Sequence, residues 1–347
     1  MLKKTKEDIK WYFKHKRSNK RALKALKEIE SYKGKIDPKL IKLCDNYSKT
    51  ILGSKVYAPW LYVFSAFNNK FEEGWIPDNY YSKEVVPKTK GDYGKTANLN
   101  FLAPLLFPEI GSLNVGYFIN GKFCSKDNEI IQPENFKKFI FNTTDKHKLV
   151  YKLENSKQGK GVFIVDKNNF ETLPCFSKRN DNGVFQTFIE QHPFFDQFTK
   201  NSVATLRVTT VSDHKGEISA RASYIRLGRN EDTHIKSSSA INISIDITTG
   251  EFQPQGYMKC TEINAHPDSN VLFRDKKIPH FEKCLDKAIK MHRSVPFISC
   301  LGWDLAIDMF DKIHLIEWNG VNNDIKFSQA TTGNCFKGLN WENLWKL

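Results

Sequence analysis

Hydrophobic positions in the first fifty residues recur at the three-to-four-residue spacing of a helix. Between residues 18 and 33 this period predicts one helix, which Gly34 is suited to end. Asp37 and Pro38 have the residue types of an N-cap and a first turn. A second helix is therefore expected to begin there and to run towards Gly53.

The pattern changes beyond residue 53. Residues 54–100 are rich in aromatic residues without a clear period, which predicts an irregular connector. Further on, short helices are expected over 101–107 and 133–140, with a hairpin turn at the Asn-Gly pair 120–121. Alternating, β-branched runs then predict strands at 149–153, 162–165, 185–190, 205–211, 222–228 and 241–247, followed by a helix over 281–293.

The last apolar runs, 302–307 and 314–320, flank a polar break and predict a β-hairpin. An antiparallel pair centred on the break sets Asp304 opposite Glu317, and Asn319 shares their face because side chains alternate. The other face would carry an apolar set, namely Trp303, Leu305, Ile307, Ile316 and Trp318. Two facing carboxylates repel each other, so the three oxygen ligands either hold a hard cation such as Mg²⁺ or lie exposed on a solvated strand.

Composition and cysteine usage are typical of a cytoplasmic globular protein. The 347 residues are 40% hydrophobic and 27% charged, which suits two or three lobes. No apolar run is long enough to span a bilayer, and the lysine-rich start lacks the apolar core of a signal peptide. The seven cysteines are scattered without a CxxC pair, which favours reduced thiols over a disulfide framework or a zinc site.

The formal net charge of +14 is concentrated at the N-terminal side. Residues 1–36 hold thirteen Lys and Arg against four Asp and Glu, a surplus of nine out of the fourteen. Such a segment either contacts an anionic membrane surface from the cytoplasmic side or forms an ordinary solvated helix face. Nucleic-acid binding is not expected, because the sequence contains no recognisable recognition motif.

Two further features suggest phosphate chemistry. The predicted strand with Lys152 leads into a loop with Gly159, Lys160 and Gly161 and then into a returning strand, so the loop is not of the Walker type. It is either a loop that closes over polyphosphate or an ordinary exposed turn. Arg207 and Arg226 lie on neighbouring predicted strands, and they either pair with Asp304 or Glu317 or face a phosphate.

In this order the motifs resemble those of the sugar-transfer-associated ATP-grasp proteins, over roughly residues 55–335. The matching segments are Lys152 with 159–161, Gln191-His192-Pro193, Thr205-Leu206-Arg207, Arg226-Leu227-Gly228, His266-Pro267, Gly302-Trp303-Asp304 and Glu317-Trp318-Asn319-Gly320. The resemblance implies an α+β ATP-grasp fold, in which two α+β lobes clasp ATP behind N-terminal helices and a smaller α/β pre-grasp domain. The expected units are a basic helical segment (1–53), a connector and pre-grasp domain (54–145), lobe 1 (146–195), lobe 2 (196–330) and a tail (331–347).

The resemblance also implies residue roles. Lys152 would contact the ATP phosphates, Gly159, Lys160 and Gly161 would form the lid over them, and Gln186, Phe188 and Ile189 would line the adenine pocket. Arg207 and Arg226 would address the transferred phosphate. Asp304, Glu317 and Asn319 would hold one or two Mg²⁺ ions.

The activity implied is an Mg-ATP-dependent carboxylate–amine ligase that uses an acyl phosphate. Its substrates would be a sugar acid, an amino sugar or an amino acid in surface-polysaccharide synthesis. Alternatives are a kinase acting on a glycan or lipid-linked hydroxyl, and a non-catalytic ATP-grasp module docked on a membrane-associated glycan assembly complex.

The chain departs from the family pattern at two places. Leu99-Asn100 replaces the usual Asp-Lys pair, with Lys95 as a possible substitute for the lysine. Near residues 234–240, His234-Ile235 and Ser239-Ala240 replace an Asp-Asn and a Gly-Gly pair.

Overall fold

A computed structural model of the chain describes residues 5–111, 113–144, 147–154, 156, 161–177 and 181–347. Within these ranges the α-helices are α1 (Lys6–Lys33), α2 (Pro38–Thr50), α3 (Ala58–Asn68), α4 (Asp78–Tyr80), α5 (Val86–Thr89), α6 (Ala103–Leu106), α7 (Pro133–Asn142), α8 (Pro193–Asp196), α9 (Phe281–Arg293) and α10 (Ile325–Thr332). A π-helical turn, Tyr81–Val85, joins α4 to α5.

The first two helices begin at side-chain caps. The Thr5 hydroxyl accepts a hydrogen bond from the Asp8 backbone N–H, and the Asp8 carboxylate accepts one from the Thr5 backbone N–H, which forms a capping box. At α2 the predicted Asp37 cap is confirmed, because its carboxylate accepts from the Lys39 backbone N–H. Both predicted helices are present, and α1 begins earlier than the apolar period suggested because its first turns expose nearly every side chain.

The prediction of an irregular connector over residues 54–100 is wrong for its first part. Residues 58–68 form α3, which packs against α1, α2 and α10. This helix is buried on almost every side, and a helix buried all round lacks the apolar stripe that identifies a surface helix. Phe336 and Trp341 of the C-terminal segment pack into the same aromatic core as α3.

The first sheet has six antiparallel strands in the order β3-β2-β1-β6-β4-β5. Its members are β1 (Asn114–Ile119), β2 (Lys122–Ser125), β3 (Ile130–Ile131), β4 (Leu149–Leu153), β5 (Val162–Val165) and β6 (Gly183–Thr187). The predicted turn between β1 and β2 is confirmed, with φ of 50° at Asn120 and 79° at Gly121. The boundary expected at residue 145 lies inside this sheet, since β1–β3 precede it and β4–β6 follow it.

The second sheet has seven antiparallel strands in the order β11-β10-β9-β8-β7-β12-β13. Its members are β7 (Thr205–Ser212), β8 (Ile218–Leu227), β9 (Ile241–Ile245), β10 (Phe252–Met258), β11 (Thr261–Ile263), β12 (Cys300–Ile307) and β13 (Ile313–Asn319). Helix α9 packs on one face of this sheet. Trp303 and Leu305 are among the core residues on that face. On the other face of the sheet, Cys300 belongs to the core that includes residues of α1, α2 and α3. Because side chains alternate along β12, Asp304 lies on the same face as Cys300.

The hairpin of β12 and β13 has the predicted register at its polar face. Asp304 pairs with Glu317, and Gly302 pairs with Asn319. The register then shifts, so that Leu305 pairs with Leu315 and one extra residue is accommodated as a bulge. The prediction that Ile316 belongs to the core face is therefore wrong. Leu315 packs against the core instead, while Ile316 lines the cleft between the sheets.

A buried histidine in the second lobe gives the fold a defined pH dependence. Trp303 Nε1 donates to the Thr210 hydroxyl, which donates to His292 Nδ1 at 2.7 Å, while His292 Nε2 donates to the Ile298 carbonyl. Burial lowers the pKa of His292 to about 4. Because the unfolded chain binds this proton near pH 6.5, stability from His292 is complete above that pH and is lost as the pH falls towards 4.

We expect this group to lower the free energy of unfolding by up to about 3 kcal/mol between pH 7 and pH 4. Denaturant titrations across this range on the wild type and on His292→Gln measure the effect. The variant should show a shallower decline, because glutamine does not titrate. Parallel pH profiles for the two proteins would contradict the account.

Candidate active site

Two arginines from neighbouring strands converge on Asp304. Arg207 lies opposite it in the β7–β12 pair and donates twice, from Nε to Oδ1 at 2.5 Å and from Nη2 to Oδ2 at 2.9 Å. Arg226 of β8 brings Nη2 to within 2.5 Å of Oδ2. Of the two alternatives from the sequence, the pairing with Asp304 is thus formed by both guanidinium groups.

The Asp304 cluster is charged although it is buried. Asp304 is 2% and Arg207 4% exposed. Burial would raise the pKa of Asp304, but the two guanidinium groups outweigh it and lower that pKa to about 2. Burial likewise opposes the charge of Arg207, yet Asp304 holds its pKa well above the ordinary value. In the described chain, Arg226 Nε is buried without a hydrogen-bond partner, so this donor is available to an anion.

Glu317 and Asn319 extend the cluster across the β12–β13 pair. With its amide oriented to satisfy both neighbours, Asn319 donates to Glu317 Oε1 at 3.3 Å and accepts from Arg207 Nη2 at 3.3 Å. Glu317 is partly open to solvent, and desolvation by the surrounding walls together with the Asp304 carboxylate raises its pKa, against the opposing effect of Lys152. Among the residues that the structure describes, no lysine or arginine forms an ion pair with the Glu317 carboxylate.

These three side chains fit a magnesium ion. Glu317 supplies a carboxylate that has no cationic partner among the described residues, and Asn319 supplies an amide oxygen. Asp304 receives two donors at Oδ2 but one at Oδ1, and a carboxylate has about four lone-pair sites, so one site at Oδ1 stays available. Mg²⁺ prefers one or two carboxylates and keeps several waters, which matches this small oxygen set.

Lys152 connects the two sheets at this cluster. It lies on β4 of the first sheet, and its Nζ donates to the Ile316 carbonyl on β13 at 3.0 Å. The bulge at Ile316 is what leaves this carbonyl free of the β12–β13 ladder. Burial between the sheets lowers the pKa of Lys152, and the carboxylates of Glu317 and Asp304 oppose this effect.

The glycine loop is described only at its ends. Gly159 and Lys160 lie outside the described residues. The Gly161 carbonyl accepts from the Leu153 backbone N–H at 2.8 Å, which closes the base of the loop. A Cβ at Gly161 would lie 2.4 Å from the Ser156 Cβ, so this position excludes a side chain.

A narrow cleft separates the sheets beside Glu317. Gln186 and Asn114 of the first sheet line one wall, joined by a hydrogen bond of 2.7 Å between Gln186 Nε2 and Asn114 Oδ1. Residues 315–318 line the other wall. Apolar side chains and a few convergent amides line this cleft together.

Phe188 and Ile189, predicted beside Gln186, occupy a different position. They are half-buried in the linker between the sheets and are not among the residues that line the cleft. The linker is fixed at its far end by two backbone bonds of 2.9 Å, from Met309 N–H to the Glu190 carbonyl and from His192 N–H to the Ile307 carbonyl.

Sequence reasoning missed two residues that support Arg207. The Asn323 carbonyl accepts from Arg207 Nη1 at 2.9 Å, and the Asn323 side chain accepts from Lys90 Nζ at 2.7 Å. Lys90 is 2% exposed, and burial lowers its pKa to about 8. The sequence offers no signal for Lys90, because it lies in a stretch without a period. Asn323 follows β13 within a few residues, so its nearness to the Asp304 cluster could be deduced from the sequence.

Lys95, the candidate substitute for the family lysine, points elsewhere. Its Nζ pairs with Asp92 at 2.5 Å, and 65% of its side chain is exposed. Asn100, at the position of the missing lysine, lines the cleft and accepts from Asn114 Nδ2 through its carbonyl at 3.5 Å. At the second departure, the Ser239 hydroxyl donates to Asp232 at 2.7 Å, so this loop is held by its own polar contacts.

Solved structures similar to this chain include several enzymes, all at low identity. Biotin carboxylase from Campylobacter jejuni is 13% identical to this chain, with a TM-score of 0.48. The alignment covers 93% of this chain and 67% of the biotin carboxylase chain. D-alanine–D-alanine ligase from Coxiella burnetii is 10% identical, with coverages of 76% and 59% and a TM-score of 0.40.

N5-carboxyaminoimidazole ribonucleotide synthetase from Thermotoga maritima is 11% identical, with coverages of 68% and 48% and a TM-score of 0.36, so the chain spans about half of that protein. No curated protein matches the sequence.

The match that decides the family is made at sequence level. The family model for sugar-transfer-associated ATP-grasp proteins matches residues 117–342, which include both sheets almost entirely and the whole arginine and carboxylate cluster. This chain belongs to the sugar-transfer-associated ATP-grasp family.

Proposed function

We propose that this protein is an Mg-ATP-dependent ligase that joins a carboxylate to an amine through an acyl phosphate. The observation that carries the proposal is the convergence of Lys152, Arg207, Arg226, Asp304 and Glu317 at one cleft between two antiparallel sheets. Cationic donors and metal-binding oxygens at the same place are what transfer of a phosphoryl group requires.

We assign the parts of ATP to separate places along the cleft. The walls beside Gln186 suit adenine, with Phe188 and Ile189 proposed to position the linker next to it. The ammonium of Lys152, which donates to the Ile316 carbonyl next to Glu317, would contact the phosphates. Gly159, Lys160 and Gly161 belong to the loop proposed to close over them.

Asp304, Glu317 and Asn319 would hold Mg²⁺, which when bound neutralises charge on the phosphate oxygens. Arg226 would turn its free Nε–H towards the transferred phosphoryl group, while Arg207 holds Asp304 in place. These donors are already oriented and largely shielded from water, so they stabilise developing negative charge without reorganising.

The proposed reaction has two balanced steps. An oxygen of the substrate carboxylate attacks the γ-phosphorus, the bond to the β-phosphate oxygen breaks, and ADP leaves. The nitrogen of the amine then attacks the acyl carbon, phosphate leaves, and the nitrogen loses a proton to give the amide. No protein nucleophile takes part, so the protein contributes orientation, charge stabilisation and exclusion of water.

We further propose that the carboxylate is a sugar acid or an amino acid, used in cell-surface polysaccharide synthesis on the cytoplasmic side. The family description, which associates these proteins with sugar transfer, supports the sugar chemistry. The seven cysteines are unpaired, as is usual in a reducing compartment. No described helix is long and apolar enough to cross a membrane.

A coupled assay for ADP release tests the reaction class. Sugar acids and amino acids are supplied as carboxylates, each with and without amino sugars or amino acids as amines. We expect release that requires both substrates, together with formation of an amide product detected by mass spectrometry. Hydroxylamine should replace the amine and trap the acyl phosphate as a hydroxamate.

Two outcomes would overturn the ligase. A phosphorylated hydroxyl product formed without any amine would assign the chain as a kinase. No ADP release with any pair, despite measurable ATP binding, would favour a module that binds nucleotide without catalysis.

A further inference from the structure

One line of exposed residues along α1 is uniformly basic. The six members recur at helical spacing and are all exposed: Lys6, Lys10, Lys14, Arg17, Arg21 and Lys24. Steps of three and four residues place them one above another on a single side of the helix. We call this line the basic stripe. In the part of the chain that the structure describes, none of the six has a carboxylate within ion-pair distance.

An apolar patch adjoins the basic stripe in the first half of α1. Its members are Ile9, Tyr12 and Phe13, which are 47%, 55% and 60% exposed. They are spaced as i, i+3 and i+4, so they form one surface, with Tyr12 and Phe13 rings 5.4 Å apart. We call this surface the apolar patch. Three neighbouring large apolar side chains on a solvent-exposed helix face mark an interaction site more than isolated ones do.

The orientation of α1 is fixed, so these two surfaces cannot turn inward. The opposite side of the helix is buried at His15, Ala22, Leu26 and Ile29. At its C-terminal end the Tyr32 hydroxyl donates to the Cys260 carbonyl at 2.8 Å and Lys33 pairs with Glu262 at 3.3 Å. The helix therefore presents the basic stripe and the apolar patch outward as a rigid unit.

We propose that this face of α1 docks on an anionic lipid bilayer. Lipid headgroups supply the negative charge that the basic stripe lacks among the described residues, and the interfacial region accepts aromatic and aliphatic side chains such as those of the apolar patch. A nucleic acid would satisfy the basic stripe but would leave Ile9 and Phe13 in water, so the combination favours lipid. The catalytic cleft contributes none of these residues, so docking is independent of the proposed ligase activity.

Vesicle flotation of the full chain tests the proposal. The probes are vesicles of phosphatidylcholine alone and of phosphatidylcholine with phosphatidylglycerol. We expect at least tenfold stronger binding to the anionic vesicles, decreasing with salt. Lys10→Gln/Lys14→Gln/Arg17→Gln should reduce that binding at least tenfold, because it removes half of the basic stripe. The matched control Lys122→Gln/Lys138→Gln/Lys167→Gln removes the same charge from exposed positions on and around the first sheet and should change binding less than twofold.

The apolar patch is tested with Tyr12→Ser/Phe13→Ser. We expect this variant to lose binding to anionic vesicles severalfold, whereas Met309→Ser/Phe310→Ser, at the exposed tip of the β12–β13 hairpin, should not. Equal binding to both vesicle types, or equal loss in the two charge variants, would overturn the proposal. So would full binding by the serine variant combined with displacement by single-stranded RNA, which would assign the surface to nucleic acid. The Glu317→Gln variant, altered in the cleft and not on α1, should bind vesicles as the wild type does. Membrane docking and the proposed catalysis are then tested independently.

Discussion

Replacing Glu317 with glutamine is expected to lower ATP turnover by at least about a hundredfold, the usual cost of removing one charge-stabilising group from a phosphoryl-transfer site. The same variant should be as stable as the wild type or more stable. Desolvation and the neighbouring Asp304 carboxylate raise the pKa of Glu317, so its ionisation is less favourable in the folded protein than in the unfolded chain. Loss of activity without loss of stability is the pattern of a functional carboxylate.

The measurements are ADP release, with the substrate pair identified by screening, and unfolding in denaturant. Glu134→Gln is the matched control, since Glu134 is an exposed residue of α7 outside the cleft. It should leave both quantities unchanged. Wild-type turnover by Glu317→Gln would remove Glu317 from the proposed metal site.

Replacing Asp304 with asparagine is expected to lower the free energy of unfolding by about 3–5 kcal/mol, because Arg207 would stay buried without its counter-ion. Arg207 is 4% exposed, and its guanidinium makes two hydrogen bonds to this carboxylate. Arg226 would lose its ion pair as well. Asp304 therefore has a structural role in addition to the proposed metal ligation.

The control for this prediction is another bidentate pair in a more open setting. Asp268 accepts from Arg229 Nε at 2.8 Å and from Nη2 at 2.5 Å, with 32% of the arginine side chain exposed. Asp268→Asn should cost about 1 kcal/mol, since water replaces the lost partner. Thermal and denaturant unfolding of both variants measures the contrast. Equal losses would mean that burial does not distinguish the Asp304 cluster.

The two variants together separate the roles of neighbouring carboxylates. Both should abolish turnover, but only Asp304→Asn should destabilise the protein. Asp304 is held by two arginines, whereas Glu317 has no such partner among the described residues. The difference follows from the strand order in the sheet. Strand β7, which carries Arg207, lies beside β12, whereas β13 lies at the edge.

The part of the site that depends on local pattern was predictable from sequence. A polar break between two apolar runs defines a hairpin, and the period of two along a strand then sets Asp304 opposite Glu317. The bulge at Ile316 was not predictable, because one extra residue in a strand leaves no mark in an apolar run. Its consequence is large, since it frees the carbonyl that Lys152 contacts.

Features that arise from tertiary packing were missed for a different reason. Helix α3 is buried on most sides, so its sequence has no polar face to reveal its period. Lys90 and Asn323 meet across 233 positions of the chain, and nothing in either neighbourhood indicates the partner. The separate α/β pre-grasp unit expected at 54–145 was inferred by resemblance, whereas hydrogen bonding joins β1 to β6 in one sheet.

Calorimetric titration of Mg-ATP into the wild type and Glu317→Gln tests the central claim, that the cleft between the two sheets is an Mg-ATP site. ATP with EDTA serves as the metal-free titrant. We predict saturable binding by the wild type that weakens at least tenfold without Mg²⁺, and equal, weaker binding of both titrants by Glu317→Gln. Undetectable binding of Mg-ATP by the folded wild type, or wild-type Mg²⁺ dependence in the variant, would contradict the account.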